Sequence, residues 1–537
     1  MGVRREGGKR CVPHAASAQV SVSCDTVPEQ IKPQEIVVKS TFFSKPRSYA
    51  MQTLLAGGIL AGLAGCAGMS SVEPRAALAR ADQAMGGANL KSIRFAGSGM
   101  AGQFGQAYQP GMAWPKMNLT SFVRVADYEN AALRQDIAQN RAEPTGGGAV
   151  PLMGTGEQRA TGLLRGTSAW NMVGPAPQAA PLAVSGRVHD LWTSPHGVIK
   201  AALKNNATAQ TRNEGGKALT AVSFTQVGMF SATAFINADN LVERVESLQP
   251  NPVMGDTAAT TWYSDYKAFG SVKFPTRIRQ TMGGFEVLDV TINEVQTNQP
   301  SQIEVPALVA AAATTPERVT AEKAADGVWF MAGGSHNSVA IEMADHMMLV
   351  ESPLYDGRAA PMIAEVKKLA PGKVIRYVVN SHHHFDHAGG LRTAAAEGAE
   401  IISSAQARPY FERIMANPNR ISPDAFEKSG RRATVSGVDG KRVFTDGKRV
   451  VEVYFIEGSV HAQGFLMVYL PAEKLLIEAD AYTPGAPGAA APAQPNGNNV
   501  NLVQNIERLK LNVERILPLH GRMVPLAELY AAVGRKP

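Results

Sequence analysis

The segment Val374-Ile-Arg-Tyr-Val-Val-Asn-Ser-His-His-His-Phe-Asp-His-Ala-Gly-Gly390 decides the fold of the C-terminal part of the chain. It begins with a mainly apolar, β-branched run that is typical of a buried strand. Four histidines and an aspartate follow at once, where that strand ends. Because α/β sheets place their sites in the loops at the carboxyl ends of strands, we expect a functional site here.

The spacing within this cluster separates two pairs of potential metal ligands. His382 and His384 are two positions apart on an extended segment, so their side chains point the same way and can hold one ion. Asp386 and His387 lie past a bend and can face a second ion. Gly389-Gly390 then lets the chain turn into a helix without a steric cost. The alternative is a histidine-rich surface loop that binds stray metal.

Three further potential ligands disfavour that alternative. His461, Asp480 and His520 each come within a few residues of the end of a predicted apolar strand. Three such coincidences in series are unexpected without a shared site. Cysteine is absent after Cys66, which excludes a disulfide scaffold and a cysteine-ligated metal site in the body of the chain.

The composition is that of a globular protein with large cores. The chain has 537 residues, of which 45% are hydrophobic and 18% are charged. This length allows about two to four domains, and the low charge excludes a highly charged disordered protein. The net charge of +7 is spread without a long run of Lys or Arg, so nucleic-acid binding is not indicated.

Residues 1–73 are predicted to be an extension followed by an export signal. The apolar run Leu54–Ala64 is too short to span a bilayer but has the length of a signal-peptide core. Lys45 and Arg47 supply the positive flank, and Met51 is a candidate start. Leu63-Ala-Gly-Cys66 resembles the bacterial lipoprotein signal, in which the cysteine is lipidated after cleavage.

This signal predicts an exported protein, either periplasmic or an outer-membrane lipoprotein. The only membrane contact that we expect is a lipid anchor at Cys66. A plain secretory signal is one alternative, and an apolar helix with an incidental cysteine is the other.

Residues 75–305 are predicted to form a mostly β accessory domain. Period-2 runs such as Phe230–Asn237 and Leu288–Asn293, separated by Gly, Asn and Asp turns, indicate an antiparallel meander. The Gly-, Pro- and Ala-rich stretch 143–182 predicts a long surface loop, and 300–316 predicts a linker. The runs Trp262–Tyr266 and Val272–Pro275 resemble, in shape only, the curved sheets of outer-membrane lipoprotein carriers. A β domain without a ligand is the alternative.

Residues 317–537 are predicted to form a layered α/β body, since apolar strands alternate with helical segments from Gly327 onward. Over about 327–525 the order of the motifs resembles the metallo-β-lactamase superfamily of metallohydrolases. The resemblance implies an αββα sandwich that follows the antiparallel β domain. It also assigns the ligands, with His382, His384 and His461 on the first metal, Asp386, His387 and His520 on the second, and Asp480 bridging both.

The resemblance implies a dinuclear zinc-dependent hydrolase, in which iron or manganese would fit the same ligands. A hydroxide that bridges the metals would attack an ester, thioester, lactone or amide-like bond of a small acyl substrate. Asp386 is the candidate for orienting the nucleophile and carrying its proton. Tyr482 is a candidate oxyanion donor, His336 and Asn337 are candidates for the pocket rim, and 484–499 is a candidate lid. The sequence does not indicate the oligomeric state.

Departures from the family pattern narrow the choice of branch within the superfamily. True β-lactamases usually carry cysteine or serine where this chain has Asp480, so the aspartate resembles the glyoxalase-II-like and general hydrolase branches. His384 disfavours the redox di-iron branch, which usually has glutamate there. Three alternatives stay open: an exported binding lipoprotein with a β ligand domain, β-lactamase-type activity, and a mononuclear iron thiol dioxygenase.

Overall fold

The computed structural model describes residues 72–143, 156–314, 317–488 and 493–536. The predicted export signal and Cys66 lie outside the described residues. Within them the strands form three sheets, of thirteen, seven and six strands. No helix in the described ranges is long and apolar enough to cross a membrane.

The thirteen-stranded sheet is antiparallel throughout and joins a meander of its first six strands to a meander of its last seven. Its two ends in sequence meet, because the first strand pairs with the last, with Ile93 opposite Thr297. The strands are β1 (Ser92–Gly102), β2 (Lys116–Asp127), β3 (Ala132–Arg141), β4 (Gln158–Arg165), β5 (Ser168–Val173), β6 (Ala176–Ala179), β7 (Thr208–Glu214), β8 (Lys217–Gln226), β9 (Phe230–Ile236), β10 (Val242–Asn251), β11 (Gly255–Phe269), β12 (Val272–Met282) and β13 (Phe285–Thr297). Their spatial order is β6-β5-β4-β3-β2-β1-β13-β12-β11-β10-β9-β8-β7.

Helices cover one part of this sheet. They are α1 (Pro74–Ala84), α2 (Ala183–Trp192), α3 (Pro195–Lys204) and α4 (Ala307–Thr314). The apolar faces of α1, α2 and α3 pack on the sheet in one core, in which Leu78, Leu191 and Phe274 are fully buried. The predicted mostly antiparallel β fold is therefore confirmed.

Two predictions of irregular structure are wrong. The predicted surface loop 143–182 contains β4, β5 and β6, because Leu163 and Trp170 are buried on one face of these strands and Leu164 on the other, a pattern that the Gly- and Ala-rich composition obscured. The predicted linker 300–316 contains α4. Val309 on that helix and Ile303 before it are buried against Trp170, so this segment packs on the sheet instead of spacing two bodies.

The C-terminal part is a sandwich of the two smaller sheets. The seven-stranded sheet consists of β14 (Thr320–Ala325), β15 (Val328–Ala332), β16 (Ser338–Glu342), β17 (His346–Val350), β18 (Val374–Val379), β19 (Glu400–Ser404) and β20 (Val435–Val438). The six-stranded sheet consists of β21 (Lys441–Thr445), β22 (Val450–Phe455), β23 (Leu466–Leu470), β24 (Leu475–Glu478), β25 (Arg515–Pro518) and β26 (Val524–Pro525).

Both faces of these sheets are covered, which explains their near-continuous apolar strands. In β17, Met348 and Val350 face the other sheet, whereas Met347 and Leu349 face helices. The helices are α5 (Asp356–Leu369), α6 (Phe385–Ala388), α7 (Leu391–Ala396), α8 (Arg408–Met415), α9 (Ala425–Ser429), α10 (Gly497–Arg508) and α11 (Leu526–Ala532). Since α5, α7 and α8 pack on one sheet and α10 and α11 on the other, the predicted αββα sandwich is confirmed.

The domain boundaries of the sequence analysis stay predictions. All the described residues fall within one compact unit, so the contacts do not divide the antiparallel sheet from the sandwich.

Candidate metal centre

Four strands deliver the candidate ligands to one edge of the sandwich. β18 runs parallel to both its neighbours, and β24 runs parallel to β25. Antiparallel steps from β22 to β23 and from β23 to β24 give β22 the same direction as β24. The carboxyl ends of β18, β22, β24 and β25 lead respectively into His382, His461, Asp480 and His520.

The histidine-rich segment changes from extended to helical in the middle of the motif. His384 is extended (φ −62°, ψ 146°) and immediately precedes α6, whose single turn carries Asp386 and His387. The Asp386 carbonyl accepts from the Leu354 amide at 2.8 Å, which fixes this turn against the loop after β17. At Gly389 a Cβ would overlap the Leu354 carbonyl, so glycine is needed there for close approach rather than for an unusual φ.

The first group of candidate ligands is buried. The candidate ligand atoms of His382, His384, His461 and Asp480 all lie within 4.8 Å of one another. The Nε2 atom of His461 lies 3.1 Å from Nε2 of His382 and 2.9 Å from Oδ2 of Asp480. The Nε2 of His384 donates to a backbone carbonyl, which leaves its buried Nδ1 without a hydrogen-bond partner.

The second group lies on the other side of Asp480. The candidate ligand atoms of His336, Asp386, His387 and His520 also lie within 4.8 Å of one another. The Nε2 atoms of His387 and His520 are 3.2 Å apart. Oδ1 of Asp480 lies 2.9 Å from the first of these nitrogens and 2.8 Å from the second, so the Asp480 carboxylate directs one oxygen to each group.

Burial and neighbouring charges shift the pKa values of the ionisable groups at the site. Burial lowers the pKa of His382 and of His384 well below the ordinary value and keeps both imidazoles neutral. Burial also disfavours a charge on His387, but Asp480 and Asp386 raise its pKa well above normal. Burial disfavours the ionised form of Asp480 as well, yet the neighbouring imidazoles hold its pKa well below normal. The site therefore favours ionised carboxylates with a positive charge between them.

These residues fit a pair of divalent cations. Two imidazole nitrogens that face each other at 3.1 or 3.2 Å must share a proton or direct both lone pairs at one point, where a cation would be stabilised. The unpartnered Nδ1 of His384 adds a further buried donor. Imidazole and carboxylate groups are ligands that zinc accepts. The two groups are thus able to bind metal.

Two residues that sequence reasoning did not assign as ligands or supports belong to the site. His336, predicted only for the pocket rim, is buried, and its Nε2 lies 3.2 Å from Oδ2 of Asp386. Glu351 is fully buried, and its Oε2 lies 3.2 Å from Nδ1 of His387. A carboxylate directly after the apolar strand β17 was the sequence signal for Glu351. A carboxylate behind a histidine orients the ring towards its ion.

Asn337, His383 and Tyr482 lie around the ligands. Asn337 donates through Nδ2 to the Gly521 carbonyl at 2.8 Å and so holds the loop of His520 beside His336. His383 belongs to neither group, in keeping with its place between the two ligands. Tyr482 is buried in the sandwich core, where burial, followed by Glu528, raises the pKa of its hydroxyl. Its catalytic role stays a prediction.

Solvent reaches the centre from the side of the second group. The side chains of His382 and His387 are fully buried, and His461 is 4% exposed. By contrast, the side chains of Asp386 and His520 are 26% and 22% exposed. A substrate would therefore meet Asp386 and His520 before it meets the first group.

The C-terminal part of the chain is similar to known proteins. A family model described as the metallo-beta-lactamase superfamily matches residues 332–520. Among solved structures, a metallo-beta-lactamase from Pontibacter korlensis is 16% identical, with a TM-score of 0.32, over 40% of this chain and 98% of the other. DIM-1 metallo-beta-lactamase is 15% identical, with a TM-score of 0.30, over 39% of this chain and 93% of the other. Residues 332–520 of this chain are a metallo-β-lactamase superfamily domain.

Proposed function

We propose that this domain is a dinuclear zinc-dependent hydrolase that cleaves an ester, thioester, lactone or amide-like bond of a small acyl substrate. The observation that carries the proposal is the position of Asp480, whose two carboxylate oxygens face separate groups of histidines. A single carboxylate between two such groups suits two cations rather than one. The same arrangement disfavours the mononuclear iron alternative.

Two sets of side chains would hold the two ions. His382, the Nδ1 of His384 and His461 would hold the first ion, and Asp386, His387 and His520 the second, with Asp480 shared. The bound pair would supply a water of lowered pKa as nucleophile and would polarise the carbonyl of the substrate. The buried carboxylate of Glu351, 3.2 Å from Nδ1 of His387, favours a proton on that nitrogen and would leave Nε2 available to bind the ion.

Asp386 is the residue best situated to move a proton. Its carboxylate is part of the second group, yet a quarter of the side chain reaches solvent, where the substrate enters. One oxygen lies 3.2 Å from Nε2 of His336, which restricts the orientation of the carboxylate. It can therefore orient the attacking water and later return the proton to the leaving group.

Metal analysis followed by a substrate panel tests this function. The protein is purified without added metal, its metal content is measured, and it is assayed with nitrophenyl esters, a thioester, a lactone and a β-lactam. We expect two ions per chain and hydrolysis that a chelator abolishes and zinc restores. A protein that binds no metal and hydrolyses none of these would contradict the proposal. One iron per chain with oxygen consumption would favour the dioxygenase.

We also propose that the protein is exported and anchored by a lipid at Cys66. The support is the short apolar run before Leu63-Ala-Gly-Cys66. Mass spectrometry of the mature N-terminus in a bacterial host would detect a diacylglyceryl group on this cysteine. An unmodified cysteine, or an N-terminus beyond it, would contradict the anchor.

A further inference from the structure

A loop of the antiparallel sheet reaches the metal centre. We call Gln103–Pro115, which connects β1 to β2, the β1–β2 loop. Its Gly105 carbonyl accepts from the amide of Phe385, the first residue of α6, at 3.1 Å. Its Tyr108 hydroxyl donates to the Ser459 carbonyl at 2.9 Å, in the segment that carries His461. The β1–β2 loop thus contacts two of the three segments that form the first group, those of His384 and His461.

One backbone carbonyl of this loop sets the tautomer of a candidate ligand. The Ala107 carbonyl lies 2.9 Å from Nε2 of His384 and 2.7 Å from Nε2 of His383. A carbonyl only accepts, so both nitrogens must carry hydrogens. The lone pair of His384 is therefore left on Nδ1, the buried nitrogen without a partner.

One side chain of the loop orients a candidate ligand of the second group. Nε2 of Gln106 donates to Oδ1 of Asp386 at 2.9 Å. The other oxygen, Oδ2, then faces His336 at 3.2 Å and His387 at 3.8 Å. The amide therefore fixes the rotation of the carboxylate and directs Oδ2 into the group of imidazoles.

The position of Gln106 is set by the antiparallel sheet. Phe104, Trp114 and Phe385 form an edge-to-face cluster with ring centroids 5.0 to 5.8 Å apart. Trp114 also donates through Nε1 to the Met282 carbonyl at the end of β12. Gly105 has φ of +84°, and a Cβ there would lie 2.6 Å from the ring of Phe385. The β1–β2 loop is therefore held against α6 on one side and the sheet on the other.

We propose that Gln106 is a positioning residue for the metal centre, so that the antiparallel sheet is a working part of the hydrolase and not an accessory. The inference rests on the proposed function, since it concerns the affinity of the second ion. Partners that hydrogen-bond a metal ligand typically contribute a factor of about 10–100 in metal affinity. We expect this effect on the affinity of the second ion, which Asp386 would bind.

Titration of the metal-free protein with Co²⁺ tests this inference, with the absorption of the bound ion as the readout. We expect two binding steps in the wild type. Gln106→Ala should weaken the second step about 10-fold and leave the first unchanged. Gln109→Ala removes an exposed side chain from the same loop, and both steps should match the wild type. Gly105→Ala should weaken both steps, because a Cβ against Phe385 displaces the Ala107 carbonyl as well.

The outcomes separate the two proposals. If Gln106→Ala binds both ions as Gln109→Ala does, the positioning role is overturned while the dinuclear function stands. The positioning role is also overturned if Gln106→Ala weakens both steps equally and lowers Tm, since that result indicates a general loss of stability. A wild-type chain that binds fewer than two Co²⁺ ions would overturn both proposals.

Discussion

At the residue scale, the carboxylate of Asp480 is the centre of the site. It lies between buried imidazoles on both sides, and its two oxygens are within 2.9 Å of three of their nitrogens. Charge in such a buried position is far more costly to remove than charge at the surface, because solvent cannot compensate for its loss.

We therefore expect Asp480→Asn to reduce metal content and hydrolysis together, by more than about 100-fold in activity, the upper end of the cost of losing an outer partner. Metal analysis and a steady-state assay measure the change. Asp326→Asn is the matched control, because Asp326 is 96% exposed in a surface ion pair with Lys323. Full activity in Asp480→Asn would remove the carboxylate from the proposed site.

His196 gives a second prediction, away from the metal centre. It is fully buried in α3, it stacks on Phe274, and its Nε2 lies 3.1 Å from the Met85 carbonyl. Burial lowers its pKa to about 4. The unfolded chain binds this proton near the ordinary pKa of about 6.5, so the contribution of the neutral ring is present above that pH and is lost as the pH falls towards 4.

We expect the wild type to lose about 2 kcal/mol more stability than His196→Gln between about pH 7 and pH 5. Glutamine keeps a donor for the Met85 carbonyl but does not titrate in this range. Urea unfolding of both proteins at the two pH values measures the difference. Equal losses in the two proteins would show that His196 does not contribute to acid sensitivity.

At the element scale, α6 is a single turn whose position depends on close packing. Gly389 follows it and lies against the backbone carbonyl of Leu354, which itself has a positive φ of 66°. The backbone at Gly389 or at Leu354 cannot move without displacing Asp386, because the Asp386 carbonyl accepts a hydrogen bond from the Leu354 amide. The geometry of the second group is therefore tied to one glycine.

Gly389→Ala should lower the free energy of unfolding by about 1–3 kcal/mol, the usual cost of overpacking, and should reduce the affinity of the second ion. Chemical denaturation and Co²⁺ titration measure the two effects. Gly186→Ala is the control, since a Cβ at this position in α2 meets open space and should preserve or raise stability. An unchanged free energy of unfolding in Gly389→Ala would show that the loop at Leu354 shifts to accommodate the added Cβ at little cost.

Elements with strong periodicity were predictable from sequence, and those defined by tertiary contacts were not. β18 and β24 are apolar runs that follow the pattern of buried strands. β5 and β6 are short and partly exposed, so their pairing with neighbours decides their structure. The same contrast holds for helices, since α2 and α3 lie where no helix was predicted.

The candidate metal centre shows the same contrast between local sequence patterns and tertiary contacts. The seven predicted ligands come from strand ends, which the sequence marks directly, and the structure brings all seven together. Their identity as ligands stays a prediction. Gln106 acts across 280 positions of the chain, and no local pattern marks such a contact. His336 likewise reaches Asp386 from the loop before β16, 50 positions away.

At the scale of the whole molecule, metal binding should stabilise the fold. An ion that binds only the folded state adds about 2.7 kcal/mol when it is present at 100 times its Kd. We expect zinc to raise Tm by several degrees in differential scanning calorimetry and a chelator to reverse the shift. Asp480→Asn should show little of this effect. An unchanged Tm in the wild type would argue against tight metal binding.

The antiparallel sheet and the sandwich meet at more than one place. Besides the β1–β2 loop, Asp256 at the start of β11 accepts from the backbone amides of Arg420 and Ile421 at 2.8 and 3.2 Å. Asn417 donates to the Met254 carbonyl at 2.9 Å. Two separate loops of the sheet are thus bonded to the sandwich, which restricts rotation of one relative to the other.

The pairing of β1 with β13 has a consequence for biosynthesis. β1 is the first strand of this sheet to be synthesised and β13 the last, yet they are neighbours in the middle of the sheet. Until residue 297 has emerged, the nascent chain exposes one unpaired side of β1, the kind of edge that invites intermolecular pairing. We therefore expect the two halves of the sheet to join only after residue 297 has been synthesised.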